Sequence, residues 1–165
     1  MRYEDVRYKM ASGDVLFCKR RGIISVLIRV ATAETFNHVG LILRTHKGVF
    51  VVEMREGVGW QMMPASQWME ANKKAEVFWG KAPALIRGSY CVEDYALRAR
   101  GKRYSYWSLL SVWWSQIWNR KTKSNLVCST FVQRVYEKCG DTKYNKSFDP
   151  SDVMGVVSDV NKIST

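Results

Sequence analysis

A chain of 165 residues with 47% apolar and 25% charged side chains is long enough for one folded domain and too short for two comfortable ones, and its composition excludes a disordered chain. Its 26 Lys and Arg against 15 Asp and Glu leave a net charge of +11. The basic residues are scattered over Lys19–Arg21, Lys73–Lys74, Arg98–Arg103 and Arg120–Lys123, which argues against one aromatic-interleaved nucleic-acid patch. They imply solubility first and an anionic partner second: nucleic acid, a membrane face or a cell-wall polymer.

In chain order, the opening MRYEDVRYKM is charged and carries no secretory-type apolar segment. Ser12-Gly13-Asp14 predicts a turn and Val15–Cys18 a short strand. Ile23–Ala33 is apolar and predicts a helix. Phe36–Arg44 and Val49–Met54 are the clearest strands, joined by a tight hairpin over Thr45-His46-Lys47-Gly48. Val58–Met63 predicts a third strand, and Pro64 opens a short helix to about Glu70. Ala75–Trp79 reads as a strand. Ser89 is the N-cap of a helix reaching Arg100 and closed by Gly101.

The longest apolar run, Tyr104–Trp118, is broken by Ser105, Ser108, Ser111 and Ser115 and falls short of the ~20 residues needed to span a bilayer. A basic linker, Asn119–Ser124, precedes a helix between Asn125 and Gly140. Asp149-Pro150 starts a last helix through about Val157. Strands first and helices later predict an α+β fold in one domain, residues 1–165. Cysteines 18, 91, 128 and 139 form neither a CxxC pair nor a framework spacing, so reduced thiols and a cytoplasmic protein are expected, with no zinc ribbon or disulfide scaffold.

Chemistry enters with the helix before Gly140. At helical period its apolar stripe is Cys128, Phe131, Val132, Val135, Tyr136 and Cys139, with Ser129, Thr130, Gln133, Arg134, Glu137 and Lys138 opposite. Cys128 falls in the first turn, where unsatisfied N–H groups and the helix dipole favour a thiolate nucleophile. It is also in phase with the core stripe, where a thiol is an ordinary buried apolar group, so the helix alone leaves both readings open.

A cysteine nucleophile needs an imidazole, and that imidazole an orienting partner. His46 falls in the hairpin turn and reads as surface. His38 interrupts an apolar strand, and Glu53 interrupts the next one. With an even-length hairpin loop these two share a sheet face, directly opposite or diagonal according to where the loop lies. A polar pair at a sheet end would look the same. A zinc site of His38, Glu53 and Cys128 is disfavoured by the single histidine and single thiol.

Taken together, SGDVLF at 12–17, FNHVGLIL at 36–43, VFVVEM at 49–54, VGWQMMPASQWM at 58–69, GKRYSYWSLL at 101–110, VCSTFVQRVYEKCG at 127–140 and DPSDV at 149–153 carry a family signal. The chain resembles the NlpC-type papain-like cysteine hydrolases, bacterial and phage, in their circularly permuted YiiX/YebB-like branch, where the histidine precedes the cysteine. The resemblance implies an antiparallel sheet packed against helices. It makes Cys128 the nucleophile, His38 the base and later acid, and Glu53 the orienting residue. Tyr104 corresponds to a tyrosine beside the active site whose hydroxyl assists the oxyanion. It implies no metal or organic cofactor and no obligate protein partner.

The expected activity is hydrolysis of an amide through a thioester acyl-enzyme, with a cell-wall peptide or another amide as substrate, reached after release by another system. The alternatives are a lipid acyltransferase or thioesterase acting on an acyl-lipid with the same site, suited to Trp107, Trp113, Trp114 and Trp118, and a basic non-enzymatic module binding nucleic acid or membrane.

Overall fold

The computed structural model describes residues 1–19, 36, 38–55, 58–101, 128–140 and 150–164. The helix expected over Ile23–Ala33, the tryptophan-rich run, the basic linker and Tyr104 lie outside the described residues. In chain order the elements are α1 (Tyr3–Val6), a 3-10 turn (Arg7–Lys9), β1 (Val15–Lys19), β2 (His38–Thr45), β3 (Gly48–Arg55), β4 (Gly59–Pro64), α2 (Ala65–Ala71), β5 (Glu76–Lys81), α3 (Tyr90–Arg98), α4 (Cys128–Cys139), α5 (Pro150–Val156) and β6 (Ser158–Ile163).

The strands form one antiparallel sheet in the order β4-β3-β2-β1-β5-β6. Alternation along each strand feeds two separate cores. Val15, Phe17, Val39, Leu41, Leu43, Val52 and Met54 point to one face, covered by α3, α4 and α5. Leu16, Cys18, Ile42, Val51, Val77 and Trp79 point to the other, covered by α1 and by Ala65, Trp68 and Met69 of α2. Both faces are buried, which is why β1 and β2 read as unbroken apolar runs rather than as apolar-polar alternation.

Ser12-Gly13-Asp14 is more than a turn. Gly13 takes φ +97°, open to glycine at little cost, and lets the fully buried Asp14 turn inward. Its carboxylate accepts from Ala11 N–H (3.1 Å), Trp79 Nε1 (3.1 Å), Ala82 N–H (3.0 Å) and Arg87 Nε (2.9 Å). Tyr136 of α4 donates to Gly13 O at 2.8 Å, fastening α4 to this hub. Ser89 caps α3 as expected, its hydroxyl accepting from Cys91 N–H at 3.2 Å.

Three expectations are revised. Ser129, Thr130 and Gln133, read as the exposed face of α4, are buried, because the helix packs against β2, β3, α3 and α5 together. The C-terminal residues form an edge strand, β6, which polar SDVNKI did not announce. It brings the ends of the described chain together: the Met1 amino group donates to Lys162 O (3.1 Å), and Tyr3 N–H to Ser164 O (2.8 Å).

The third concerns sulfur. Cys91 and Cys139 were expected as thiols and are joined in a disulfide, with Cα atoms 5.6 Å apart and 48 residues apart in sequence. The pairing comes from the packing of α3 on α4, which no local spacing reveals. Cys18 and Cys128 remain as thiols. Cross-linking a loop of this length stabilises a fold by about 2–4 kcal/mol. Cys91→Ser should lower unfolding free energy by that order in denaturant titrations without reductant. The difference from wild type should vanish when reductant is added; an unchanged midpoint in both conditions would count against the bridge.

Candidate active site

The hairpin register decides how the two strand interruptions meet. Leu41 pairs with Val52, Ile42 with Val51 and Thr45 with Gly48, leaving a two-residue turn at His46-Lys47. Facing positions therefore sum to 93, an odd number, so even positions on β2 share a face with odd positions on β3. Continued past Leu41, this register sets Gly40 across from Glu53 and His38 diagonal to it, the second of the two geometries expected. The diagonal is closed by a hydrogen bond of 2.6 Å between His38 Nε2 and Glu53 Oε2. Both groups are withdrawn from water, at 7% and 1% exposure. His46 is exposed in the turn.

Cys128 is the first residue of α4 and is partly exposed. His38 and Glu53 belong to the α2 face of the sheet, whereas α4 packs on the other. His38 is the first residue of β2, and at a strand end a ring can be reached from both sides. Its side chain is hydrogen-bonded to Cys128 as well as to Glu53. Since Nε2 is committed to the carboxylate, Nδ1 is the nitrogen left for the thiol. The three side chains thus lie in the order carboxylate, imidazole, sulfur.

Electrostatics favour an ion pair. Burial pushes the imidazole toward neutrality, but bonds to Cys128 and Glu53 outweigh it and raise its pKa to about 9. Burial likewise pushes the Cys128 thiol up, yet its bond to His38, the charge of that ring, and the N–H groups of Val39 and Ser129 bring it below its ordinary value. Both shifts act in the same sense, favouring a proton on the ring over a proton on the sulfur.

Residues 9–156 match the family described as permuted papain-like amidase enzyme, YaeF/YiiX, C92 family. The chain belongs to this family. Its fold is shared with a solved structure titled metalloprotein YiiX from Escherichia coli O157:H7, at 21% identity and a TM-score of 0.60, over 81% of this chain and 68% of that one. No curated protein matches. The permuted papain-like amidase fold accounts for the α+β architecture, with the helix that begins at Cys128 coming after β1 to β5 in sequence. The word metalloprotein in that title describes the neighbour. Here, among the described residues, no three His, Cys, Asp or Glu side chains converge to hold an ion, and His38 Nε2 is already engaged by Glu53, so the donor set does not fit a metal.

Sequence reasoning missed one member of the cluster. Trp68, fully buried in α2, donates its indole N–H to Glu53 Oε2 at 2.6 Å. The signal was available in the spacing of Ala65, Trp68 and Met69, which marks the face that α2 lays over the Glu53 side of the sheet. A cavity of about 600 Å³ runs up to Glu53 and Trp68, with Arg55 and Lys74 among its lining residues.

The charge states have a kinetic signature. Alkylation of Cys128 by iodoacetamide should reach its plateau below the pH of an ordinary thiol, because the lowered thiol releases its proton early. His38→Ala removes the cation that holds it down, so the midpoint should move upward. Rates followed from pH 5 to 10 by mass mapping check this. Cys18, fully buried, should label slowly throughout, and equal labelling of Cys18 and Cys128 would contradict the assignment.

Proposed function

We propose that this amidase-family chain is a cysteine hydrolase of amide bonds that works through Cys128, His38 and Glu53. The observation carrying this reading is the imidazole held between a carboxylate and a thiol at a helix N-terminus. The resting ion pair supplies the nucleophile directly. The thiolate attacks the substrate carbonyl, and the developing oxyanion is met by backbone N–H groups at the start of α4. Collapse of the tetrahedral adduct breaks the C–N bond. Protonated His38 gives its proton to the departing amine, which leaves a neutral imidazole and a thioester on Cys128.

Water then enters. His38 takes its proton as the hydroxyl attacks the thioester, and the acid leaves with regeneration of thiolate and imidazolium. Glu53 stays ionised throughout, fixing the ring's orientation and stabilising its charged form. Peptide amides are the substrate class this chemistry fits best, and Tyr104 is assigned an assisting role at the oxyanion.

A peptide chloromethyl ketone or acyloxymethyl ketone should modify Cys128 stoichiometrically, and Cys128→Ala should abolish both labelling and turnover. Glu53→Gln should fold normally and lose turnover by about 10²–10⁴-fold, the range in which a misoriented base shows itself. Turnover of the wild type should form a bell against pH. Its acid limb marks protonation of the thiolate, and its alkaline limb near 9 marks loss of the imidazolium that protonates the amine. Full activity in Cys128→Ala would overturn the assignment of the nucleophile, and binding of acidic polymers by a chain whose thiols are inert to all these reagents would overturn the reading in favour of a non-enzymatic module.

A further inference from the structure

We infer that Trp68 is a positioning residue of this site, holding Glu53 in place through its indole N–H, beside a glycine at 40 that leaves Val51 room under the same helix. The inference rests on the hydrolase reading above and extends it to a residue outside the Cys-His-Glu set. Oxygen Oε2 of Glu53 is bonded at 2.6 Å by His38 Nε2 and at 2.6 Å by Trp68 Nε1. Two donors on one carboxylate oxygen, approaching from a strand and from a helix, determine where that oxygen sits.

The glycine lies beside the place where a helix side chain reaches a strand carboxylate. Gly40 stands across from Glu53 in the register. A Cβ there would come within 2.5 Å of Val51 Cγ1 and 3.8 Å of Trp68 Nε1. A side chain at 40 would displace Val51, while its Cβ would meet the indole only at ordinary contact distance. The bare backbone at 40 leaves Val51 its place beneath α2, which packs over β3 and β4. Asn72 then pins the carbonyl of Trp68, its Nδ2 donating at 2.8 Å, so the last turn of α2 is tied to the indole that serves Glu53.

Charge gives the bond its effect. A carboxylate at 1% exposure keeps its negative charge only with donors around it, and that charge in turn supports the imidazolium and the thiolate beyond it. Glu53 and Trp68 both line the cavity, together with Arg55 of β3 and Lys74 after α2. From the β1 side His38 faces Cys18, and from α4 it faces Cys128. Among the described residues, the titratable and charged groups around the ring and its carboxylate are therefore Glu53, Cys18 and Cys128, with Arg55 and Lys74 in the cavity lining.

Trp68→Phe keeps an aromatic ring and removes the donor. Cys128 alkylation in this variant should fall about tenfold at pH 6, its midpoint moving up by about one pH unit, and should converge on wild type at alkaline pH. A purely structural role would lower the rate by the same factor at every pH, or leave it unchanged, and either result overturns the proposal. In a Glu53→Gln background, Trp68→Phe should add nothing to the shift, whereas two independent effects would add.

Should Trp68→Phe not fold, the indole resonances of the seven tryptophans in isotope-labelled protein give a second test. Glu53→Gln should displace one indole N–H strongly, and no displacement overturns the proposal. Wild-type Cys128 no more reactive than Cys18 would instead strike the hydrolase reading itself, while the indole shift would still report on the bond to Glu53.

Discussion

Burying the Glu53 carboxylate to 1% exposure costs on the order of several kcal/mol unless its charge is met, and the site is arranged around meeting it. His38 and Trp68 both meet the same carboxylate oxygen, one from β2 and one from α2. The same bond raises the imidazole's affinity for its proton, and the imidazolium lowers that of the thiol. A buried anion on β3 therefore bears, through His38, on the protonation of a sulfur at the start of α4. The coupling is mutual, since the sulfur raises the imidazole in turn.

The two-faced sheet explains why such a chain of contacts can exist. Helices pack on both sides, so neither face is free to solvate a polar group, and a histidine and a glutamate there must find each other. The first residue of β2 is where the two compartments communicate. A ring one residue further into the strand would be confined to its own face by the neighbouring strands. The hub at Asp14 does the complementary work on the other face, holding α4 by Tyr136 so that Cys128 arrives at that strand end.

Much of this was legible in the sequence because the relevant signals are local. Two apolar runs with one polar interruption each, joined by a short turn ending in glycine, carry the parity that puts His38 and Glu53 on one face. The first-turn position of Cys128 follows from helical period alone. What stayed hidden depends on packing between distant segments. The Cys91–Cys139 bridge needs α3 beside α4, and the burial of Ser129, Thr130 and Gln133 needs α4 to be covered on several sides. β6 is polar and at an edge, so it has little hydrophobic pattern to show. Trp68 looked like an ordinary core residue, since its apolar surface and its N–H donor serve different purposes and only the first has a periodicity.

Where the described ends meet, order along the chain and order in space come apart. Residues 1–3 and 162–164 already share backbone hydrogen bonds, so a linker of a few residues would close the described polypeptide into a ring without moving either end. Opening that ring just ahead of Cys128 would yield a chain in which Cys128 comes first and His38 and Glu53 follow. Every strand pairing and the contact between sulfur and imidazole would be kept, because none of them depends on where the polymer is cut. The contacts of the site thus belong to the spatial object and not to the direction in which the chain is read.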